Sequence, residues 1–285
     1  MIGEYFVRNG EILPVAEATV PIDDVNFAYG YGVYETLKIR DRILYFPEAH
    51  EERLFRSAGV IGLEHLFPSG EIVRGIRELG AANGIPDATV KVLLIGGTPA
   101  EGAAGARWEA MLLPAITPDP RLYEEGAKAI SFEGERHYPA SKSLSMTMST
   151  VAFRQAQRLG AYDAVLVNRE GFMTEGTRTN LFAVVAGAVV TPPREQCLDG
   201  VTRESLLEVI RDLGLPLQEE PLPRSLVNAE PGQLEGLMLS STSTKLLPLR
   251  ELDGRPLPRP GLYRRMATAF DHYLSAYART QNPLY

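Results

Sequence analysis

The stretch from residue 141 to residue 182 constrains the fold and chemistry of this 285-residue chain more than any other. It begins with the letters SKSLSMTMS, and a helical periodicity of apolar residues then predicts a helix over residues 147–159. A strand is predicted over residues 164–168 and, after a turn, a partner strand over residues 172–175. Such a unit can return the chain to its start, so we expect Lys142 at one end to lie near Glu175 at the other.

The residue types of this pair suit one cofactor, pyridoxal phosphate. A lysine amine forms a Schiff base with the cofactor aldehyde, and a carboxylate keeps the pyridine nitrogen protonated, so that the ring accepts electrons. The residue types alone leave another interpretation open. A lysine beside a helix start is commonly solvated, and a carboxylate before a glycine, as in Glu175-Gly176, is commonly an exposed turn residue.

Four separated motifs favour the first interpretation. They are Lys142-Ser143-Leu144, Gly160-Ala161-Tyr162-Asp163-Ala164, Thr174-Glu175-Gly176 and Asn180-Leu181-Phe182. In this order they resemble the fold-type IV pyridoxal phosphate family, which includes the branched-chain and D-amino-acid aminotransferases and aminodeoxychorismate lyase. The resemblance implies that Lys142 forms the Schiff base. It also implies that Glu175 pairs with a pyridinium nitrogen that would otherwise lose its proton in a low-dielectric site.

A motif for the cofactor phosphate lies upstream, in a helix that is predicted to begin at Pro47. The family has His-x-x-Arg-Leu here, and this chain has His50, Arg53 and Leu54 at those positions. The resemblance implies that Arg53 reaches the phosphate, a role that suits its planar, always charged side chain. Taken alone, Arg53 would be interpreted as the partner of an acid on the solvated face of its own helix.

Two further stretches are candidate anion sites. Gly200 precedes a predicted helix that begins at Val201 and Thr202, and free backbone N–H groups at a helix start can bind phosphate. A hydroxyl-rich loop follows a predicted strand at residues 241–243. The resemblance implies that Val201, Thr202 and Thr242 hold the phosphate, and that the Thr242-Ser243 peptide faces the substrate carboxylate. An ordinary helix cap at Thr202 and a generic polar loop are the alternatives.

The substrate pocket is marked less clearly. In FAYGYGVYETLKI the resemblance directs Tyr34 and Glu35 into the site, while Tyr31 stands where many members have aspartate. Both tyrosines are candidates to line the pocket, and both are equally candidates for the core. Neither family signature for a carboxylate-binding arginine is intact, because Gly96-Gly97 and Thr89-Val90-Lys91 occupy the two positions. Lys91 or Arg107 is the candidate for the missing charge, and the alternative is that both are solvated cations.

The predicted fold class is mixed α/β with two domains. Residues 1–117 are expected to form a smaller α/β domain, and residues 118–285 a larger, β-rich domain that carries the cofactor lysine. The division follows from three prolines within residues 114–120, which are typical of a linker. Further strands are predicted over residues 3–8, 11–16, 34–40, 43–46, 88–95, 109–113, 127–132, 180–185 and 188–191, and further helices over residues 70–79 and 261–278.

Composition and charge argue against several classes of protein. A hydrophobic fraction of 45% with 23% charged residues is typical of a globular chain. The formal net charge of −7 argues against nucleic acid or an anionic membrane surface as a partner. No apolar run approaches the length of a membrane span, and the first residues lack a secretory signal pattern. A single cysteine, Cys197, predicts no intrachain disulfide and a reducing cytoplasm, and no metal site is predicted.

The resemblance implies transamination between a small amino donor and a 2-keto acid, in a homodimer whose sites are each bordered by a loop of the other subunit. Three alternatives stay open. One is a lyase that releases pyruvate from aminodeoxychorismate, with which Tyr34-Glu35-Thr36 is compatible. Another is a transaminase for (R)-amines, which would tolerate the absence of a carboxylate-binding arginine. The third is a non-catalytic binding protein on the same fold, against which the intact lysine, arginine and glutamate motifs argue.

Overall fold

A computed structural model, which describes residues 1–98, 100–230 and 232–285, divides into two compact units. Unit 1 consists of Met1–Ile116, Ser141–Ser145 and Ala278–Tyr285, and unit 2 of Thr117–Ala140 and Met146–Tyr277. Each unit combines a sheet with helices, so the predicted mixed α/β class is confirmed. Among the described residues, no helix combines the length and the apolar character needed to cross a membrane.

Unit 1 is built on one antiparallel sheet. Its strands are β1 (Tyr5–Arg8), β2 (Glu11–Pro14), β3 (Gly32–Arg40), β4 (Ile43–Leu44), β5 (Ala88–Ile95) and β6 (Arg107–Leu113). Their order across the sheet is β2-β1-β6-β5-β3-β4. The helices of this unit are α1 (Val25–Ala28), α2 (Pro47–Val60) and α3 (Glu71–Asn83). Strand β5 has the bounds that the sequence predicts, and α2 begins at Pro47 as predicted.

The two faces of the unit 1 sheet differ in burial. Alternate residues of a strand point to opposite faces, and directly paired residues share a face. One face is fully buried beneath α2 and α3, with Val33 and Leu37 of β3 packed in the same core as Leu54 and Ile76 of the helices. The other face is more polar and only partly buried, and it carries Tyr34, Thr36, Lys91 and Glu109 among others.

Helix α3 runs four residues past its predicted end at residue 79 and stops at Asn83. The sequence favours an end at Gly80, because glycine weakens a helix interior. Gly80 is nevertheless buried in the helix, where an added Cβ would lie 2.7 Å from Cδ1 of Leu284. Gly84 instead ends the helix in the left-handed conformation, with its N–H donating to the Gly80 carbonyl. Close packing, and not helix propensity, explains this glycine.

The segment Ser141–Ser145 belongs to unit 1, although the sequence places the lysine that it carries in the second domain. Strand β4 pairs only with Ile39 and Arg40, so the first half of β3 has an open edge. The segment pairs with that edge through a bridge between Ser143 and Val33. This pairing has a physical cause, because the exposed edge of a strand requires partners for its N–H and C=O groups.

Unit 2 is built on a ten-stranded sheet. Its strands are β7 (Ala127–Glu133), β8 (Asp163–Val167), β9 (Phe172–Gly176), β10 (Asn180–Val185), β11 (Ala188–Thr191), β12 (Leu217–Glu219), β13 (Leu222–Pro223), β14 (Leu234–Ser241), β15 (Lys245–Leu252) and β16 (Arg255–Pro256). The strand order is β12-β11-β10-β14-β15-β7-β8-β9-β13, with β16 beside β15. Because β9 also pairs with β10, the strands from β10 through to β9 form a closed ring. Strands β10 and β11 have their predicted bounds.

The helices of this unit are α4 (Arg121–Glu125), α5 (Thr147–Arg158), α6 (Val201–Asp212) and α7 (Tyr263–Thr280). Helices α5 to α7 cover the outside of this ring, whereas Leu122 and Tyr123 of α4 pack against its inner core. Along β10, Leu181 packs in the core of the ring, whereas Phe182 packs on the other side with residues of α6 and α7. Helix α5 begins where the sequence predicts, and its buried Ala152 and Ala156 pack against β7 and β8. Alternation along the strands therefore supplies one core inside the ring, a second beneath α6 and α7 and a third beneath α5.

Candidate active site

In unit 1 the backbone of Lys142 is held from two sides. Its N–H donates to Oγ of the fully buried Ser57 on α2, at 3.1 Å. Its carbonyl accepts from the Tyr34 N–H at 2.8 Å, and the Ser141 hydroxyl donates to the Ser57 carbonyl at 3.0 Å. The helix and the strand edge thus fix the position of Cα of Lys142, while the side chain is only partly buried. A lysine in this position is not a residue of a solvated helix start.

Two amines lie against the ring of Tyr34. Nζ of Lys91 is 3.3 Å from the ring centroid, and Nζ of Lys142 is 4.6 Å from it. Burial lowers the pKa of Lys91 to about 8, because a charged amine loses hydration there, and the positive charge of Lys142 adds to this effect. Tyr34 itself is buried, so the structure makes it both a core residue and a neighbour of Lys142.

Arg53 is also buried, and its ion pair is not with an acid of its own helix. It donates from Nε and Nη2 to the two oxygens of Glu35 on β3, at 2.6 and 2.8 Å. Nδ1 of His50 lies 2.7 Å from the same carboxylate. Burial alone would raise the pKa of Glu35, but the charge of Arg53 and the contact with His50 outweigh it and hold that pKa well below its usual range.

His50 leaves one polar atom unpaired. Because the Glu35 carboxylate only accepts, Nδ1 carries the proton that lies between them, and burial lowers the pKa of His50. Its Nε2 atom is buried and has no hydrogen-bond partner among the described residues. With the proton on Nδ1, Nε2 can only accept, so this atom beside the Arg53 guanidinium fits a ligand group that brings a hydrogen, such as a singly protonated phosphate.

In unit 2, Glu175 lies on β9 and is buried, so it is not an exposed turn residue. Its Oε1 accepts from Nε of Arg136 at 2.7 Å, and its Oε2 accepts from the Leu198 N–H at 3.1 Å. Cys197 beside it is buried too, and this burial, together with the charge of Glu175, raises the pKa of its thiol to about 12. Glu175 is therefore shielded from bulk water, as the sequence interpretation requires.

The start of α6 is built beside this carboxylate. Asn180 of β10 pairs with Glu175, and its side-chain amide donates to the Leu198 carbonyl at 2.7 Å. A Cβ on Gly200 would lie 2.1 Å from Oδ1 of Asn180, so only glycine fits this position. Helix α6 then begins at Val201 without a side-chain cap, which leaves its first N–H groups available to an anion. Thr202 is inside the helix and is not its cap.

The loop between β14 and β15 is held in place by hydrogen bonds of Thr244. Thr244 is buried, its N–H donates to Oγ of Ser241 at 3.1 Å, and its hydroxyl is 2.8 Å from the Tyr162 hydroxyl. Thr242 and Ser243 stand at the tip and are partly exposed. The tip is therefore a fixed polar turn in which both hydroxyl residues remain accessible.

The candidate residues of the substrate pocket differ in whether their polar groups already have partners within the protein. The Tyr31 hydroxyl donates to the Gly62 carbonyl at 2.9 Å, and its ring occupies the space that a Cβ on Gly96 would need. Arg107 forms an ion pair with Asp24, so its charge is already compensated. Lys91 has no ion-pair partner of this kind among the described residues, and its amine faces the ring beside Lys142.

Sequence reasoning missed the partners of the three principal residues. Glu35 is 18 positions from Arg53 and Arg136 is 39 positions from Glu175, so no local pattern connects them. Ser57 is 85 positions from Lys142. Among these partners, only Glu35 could have been singled out from the sequence. It belongs to the aromatic–glycine motif that leads into β3, and an acid inside a strand is uncommon.

Three comparisons relate this chain to known proteins. The model of the family described as Amino-transferase class IV matches residues 32–252. A putative branched-chain-amino-acid aminotransferase of Methanocaldococcus jannaschii is 29% identical over 256 residues, which cover 87% of each chain. A D-alanine aminotransferase of Bacillus licheniformis is 28% identical over 285 residues, 95% of this chain and 98% of the relative. The crystal structure of a branched-chain aminotransferase from Thermoproteus uzoniensis with norvaline superposes with a TM-score of 0.87 at 25% identity, covering 99% and 100% of the two chains.

Proposed function

Because this chain belongs to the class IV aminotransferases, which move amino groups between amino acids and keto acids with pyridoxal phosphate, we propose that Lys142 is the lysine to which the cofactor is bound. The observation that carries this role is the anchoring of its backbone by Ser57 and Tyr34, which fixes the Cα position while the side chain remains partly exposed. A nucleophilic lysine needs a fixed Cα position and a side chain that can move its amine between substrate and cofactor.

The chemistry is divided between the cofactor and the protein. Pyridoxal phosphate supplies an aldehyde that takes up the amino group and a ring that accepts the electrons released when the donor loses its Cα proton. The Lys142 amine accepts the proton from Cα and returns it at C4′ of the cofactor. A keto acid then receives the amino group by the same proton transfers in reverse.

Glu175 keeps the proton on the pyridine nitrogen by placing a negative charge beside it. Arg136 and the Leu198 N–H each donate to one of its oxygens and so orient the carboxylate. A carboxylate has about four acceptor positions, so these two contacts leave capacity for a third donor.

The phosphate is held by two sets of groups. Arg53, oriented by its ion pair with Glu35, contributes N–H donors, and Nε2 of His50 accepts the hydrogen of a singly protonated phosphate. The N–H groups at Val201 and Thr202 and the hydroxyl of Thr242 make up the second set.

The substrate carboxylate is bound by Lys91 and by the Thr242-Ser243 peptide, and the rings of Tyr31 and Tyr34 line the pocket. We assign the charge to Lys91 and not to Arg107, because Arg107 is already paired with Asp24. A single ammonium in place of an arginine fork binds a carboxylate with less directional preference, so a range of amino acids can be accepted.

The enzyme is a homodimer that works in the cytoplasm. The support for the dimer is a run of exposed apolar side chains in unit 1, at Val20, Ile22, Val25, Phe27 and Tyr29. A reducing compartment suits a chain with one cysteine. Analytical ultracentrifugation tests the assembly: a species of twice the chain mass is expected, and a monomer at micromolar concentration would contradict it.

A half-reaction experiment tests the proposed function. The purified protein, loaded with pyridoxal phosphate, is mixed separately with L-leucine, D-alanine, an (R)-aryl amine and aminodeoxychorismate, and its absorbance is followed. Conversion to the pyridoxamine form by one amino acid is expected and fixes its handedness. Release of pyruvate from aminodeoxychorismate, with the starting spectrum retained, would identify the lyase instead.

Variants complete the test. Lys142→Ala is expected to lose both turnover and the absorbance of the lysine-bound cofactor, whereas Lys128→Ala, which removes a lysine paired with Glu251 in unit 2, retains both. Retention of both signals in Lys142→Ala, or a protein that takes up no cofactor, would overturn the assignment.

A further inference from the structure

Two lysine amines share one aromatic ring in unit 1. Nζ of Lys91 and Nζ of Lys142 lie 3.3 and 4.6 Å from the centroid of Tyr34, so the two nitrogens are within about 8 Å of each other. Each amine gains from the negative face of the ring, while the two repel one another when both are charged. The ring holds both lysines in a geometry that their charges alone would oppose.

The other charges around this pair are largely compensated. On the same sheet face, Glu109 is paired with Arg8, and Arg107 with Asp24. Lys38 lies on this face too, two residues along β3 from Thr36, which is the direct partner of Lys91. On the opposite face, the carboxylate of Glu35 is engaged by Arg53 and His50. Lys91 has no paired carboxylate among the described residues, and its ammonium lies against the same ring as Lys142.

We propose that Lys91 lowers the proton affinity of the Lys142 nitrogen, because its ammonium, held on the same ring, repels a second positive charge. Lys91 acts through Lys142 and is therefore a positioning residue, separate from any contact that it makes with substrate. The inference rests on the proposed role of Lys142 as the cofactor lysine. An unprotonated nitrogen is what Lys142 needs in order to accept the Cα proton of the donor.

The charge state of Lys91 sets the pH range in which Lys91 lowers the proton affinity of Lys142. The pKa of Lys91 is lowered to about 8, first by burial and then by repulsion from Lys142. A Coulomb interaction is reciprocal, so the same repulsion lowers the proton affinity of Lys142. Lys91 is charged below its pKa, so the effect is present below about pH 8 and fades above it. At this separation and an intermediate dielectric constant, the expected size is about one pH unit.

Substrate binding would remove the effect. When a substrate carboxylate neutralises the Lys91 ammonium, the repulsion ceases and the proton affinity of the Lys142 nitrogen rises. The nitrogen is then ready to take a proton when a donor is in place, and less ready when the site holds none. Lys91 thereby couples occupation of the pocket to the proton transfer at Lys142.

The test is a pH titration of the absorbance of the lysine-bound cofactor in the holoenzyme, which reports protonation of the Lys142 nitrogen without turnover. Lys91→Met and, as a second neutral variant, Lys91→Gln are expected to raise the midpoint by about one pH unit. Lys91→Arg keeps the charge and retains the low midpoint, also above pH 8. The matched control Lys38→Met removes a lysine further along the same face and changes the midpoint less.

The outcomes separate this inference from the proposed function. An unchanged midpoint in both neutral variants, with the Lys142-dependent spectrum intact, would overturn the inference alone. A midpoint that rises as far in Lys91→Arg as in Lys91→Met would also overturn it, because packing and not charge would then be responsible. Absence of any spectrum that depends on Lys142 would instead contradict the proposed function.

Discussion

Glu35 in unit 1 and Glu175 in unit 2 are both buried and paired with an arginine, and the two carboxylates are used differently. Glu35 accepts from Nε and Nη2 of Arg53, from Nδ1 of His50 and from the Thr36 N–H, so all of its acceptor capacity is taken. Glu175 accepts only from Arg136 and the Leu198 N–H among the described residues. The comparison teaches that a saturated carboxylate serves the protein itself, whereas an unsaturated one can serve a ligand.

The largest effect is expected from Glu35→Gln. The change leaves the buried guanidinium of Arg53 without its counter-charge, which costs about 3–5 kcal/mol in the free energy of unfolding. Urea denaturation followed by circular dichroism measures it. Glu48→Gln is the control, because the Glu48 side chain is 72% exposed and its contact with Arg77 is 3.8 Å long. It should change stability by less than about 1 kcal/mol. Equal effects of the two changes would show that Glu35 is not a structural counter-charge.

Glu175→Gln is expected to act mainly on catalysis. Loss of the negative charge beside the pyridine nitrogen should lower kcat on the order of 100-fold, while the cofactor remains bound. Steady-state kinetics with the donor identified in the half-reaction gives kcat, and absorbance gives the amount of cofactor bound.

The same two variants sharpen the comparison when both properties are measured. Glu35→Gln should lose more stability than Glu175→Gln, because Arg136 lies partly exposed and can be hydrated when its partner is neutral. A Glu175→Gln protein with unchanged kcat and reduced stability would place Glu175 in the same structural class as Glu35.

The acid side of the stability profile provides a third test. The pKa of Glu35 is lower in the folded protein than its ordinary value of 4.5. The stability that its charge contributes is therefore complete above that pH, and it is lost progressively as the pH falls below it. The difference in unfolding free energy between the natural protein and Glu35→Gln should be smaller at pH 3 than at pH 7. A difference of the same size at both pH values would contradict this account of the ion pair.

The smallest effect is expected from Ser57→Ala. This change removes the acceptor of the Lys142 N–H, a backbone contact and not a charge pair, and should cost about 1–2 kcal/mol in the free energy of unfolding. We expect kcat to fall less than tenfold, because β3 still holds the Lys142 carbonyl. Ser69→Ala, which removes only a long contact of 3.5 Å to Glu51, is the control. A loss of activity as large as that of Glu175→Gln would give Ser57 a more direct role.

Much of the secondary structure was accessible from the sequence, because its signals are local. The bounds of β5, β10 and β11 follow from hydrophobic pattern and turn residues, and the starts of α2 and α6 follow from Pro47 and Gly200. The end of α3 could not be predicted. A glycine that breaks helices in isolation stays helical at position 80, because Leu284 packs where a side chain would be.

The candidate site was accessible only in part. Motifs identified Lys142, Arg53 and Glu175 as candidate site residues. The groups that hold these residues are 18 to 85 positions away in the sequence. The placement of Lys142 in unit 1 depends on an open strand edge, which arises because β4 is only two residues long. Such long-range complementarity is a property of the folded backbone and leaves no periodic signal.

The proposed role of Lys142 is tested most directly by reducing the cofactor-loaded protein with borohydride, digesting it and locating the cofactor by peptide mass spectrometry. Reduction makes the link between lysine and cofactor permanent, so the mass of the modified peptide identifies the lysine. The cofactor is expected on the peptide that contains Lys142, in near-stoichiometric amount, with Lys91 unmodified. Modification of Lys91 with Lys142 unmodified, or no modified lysine in a protein that is active with the cofactor, would contradict the role of Lys142.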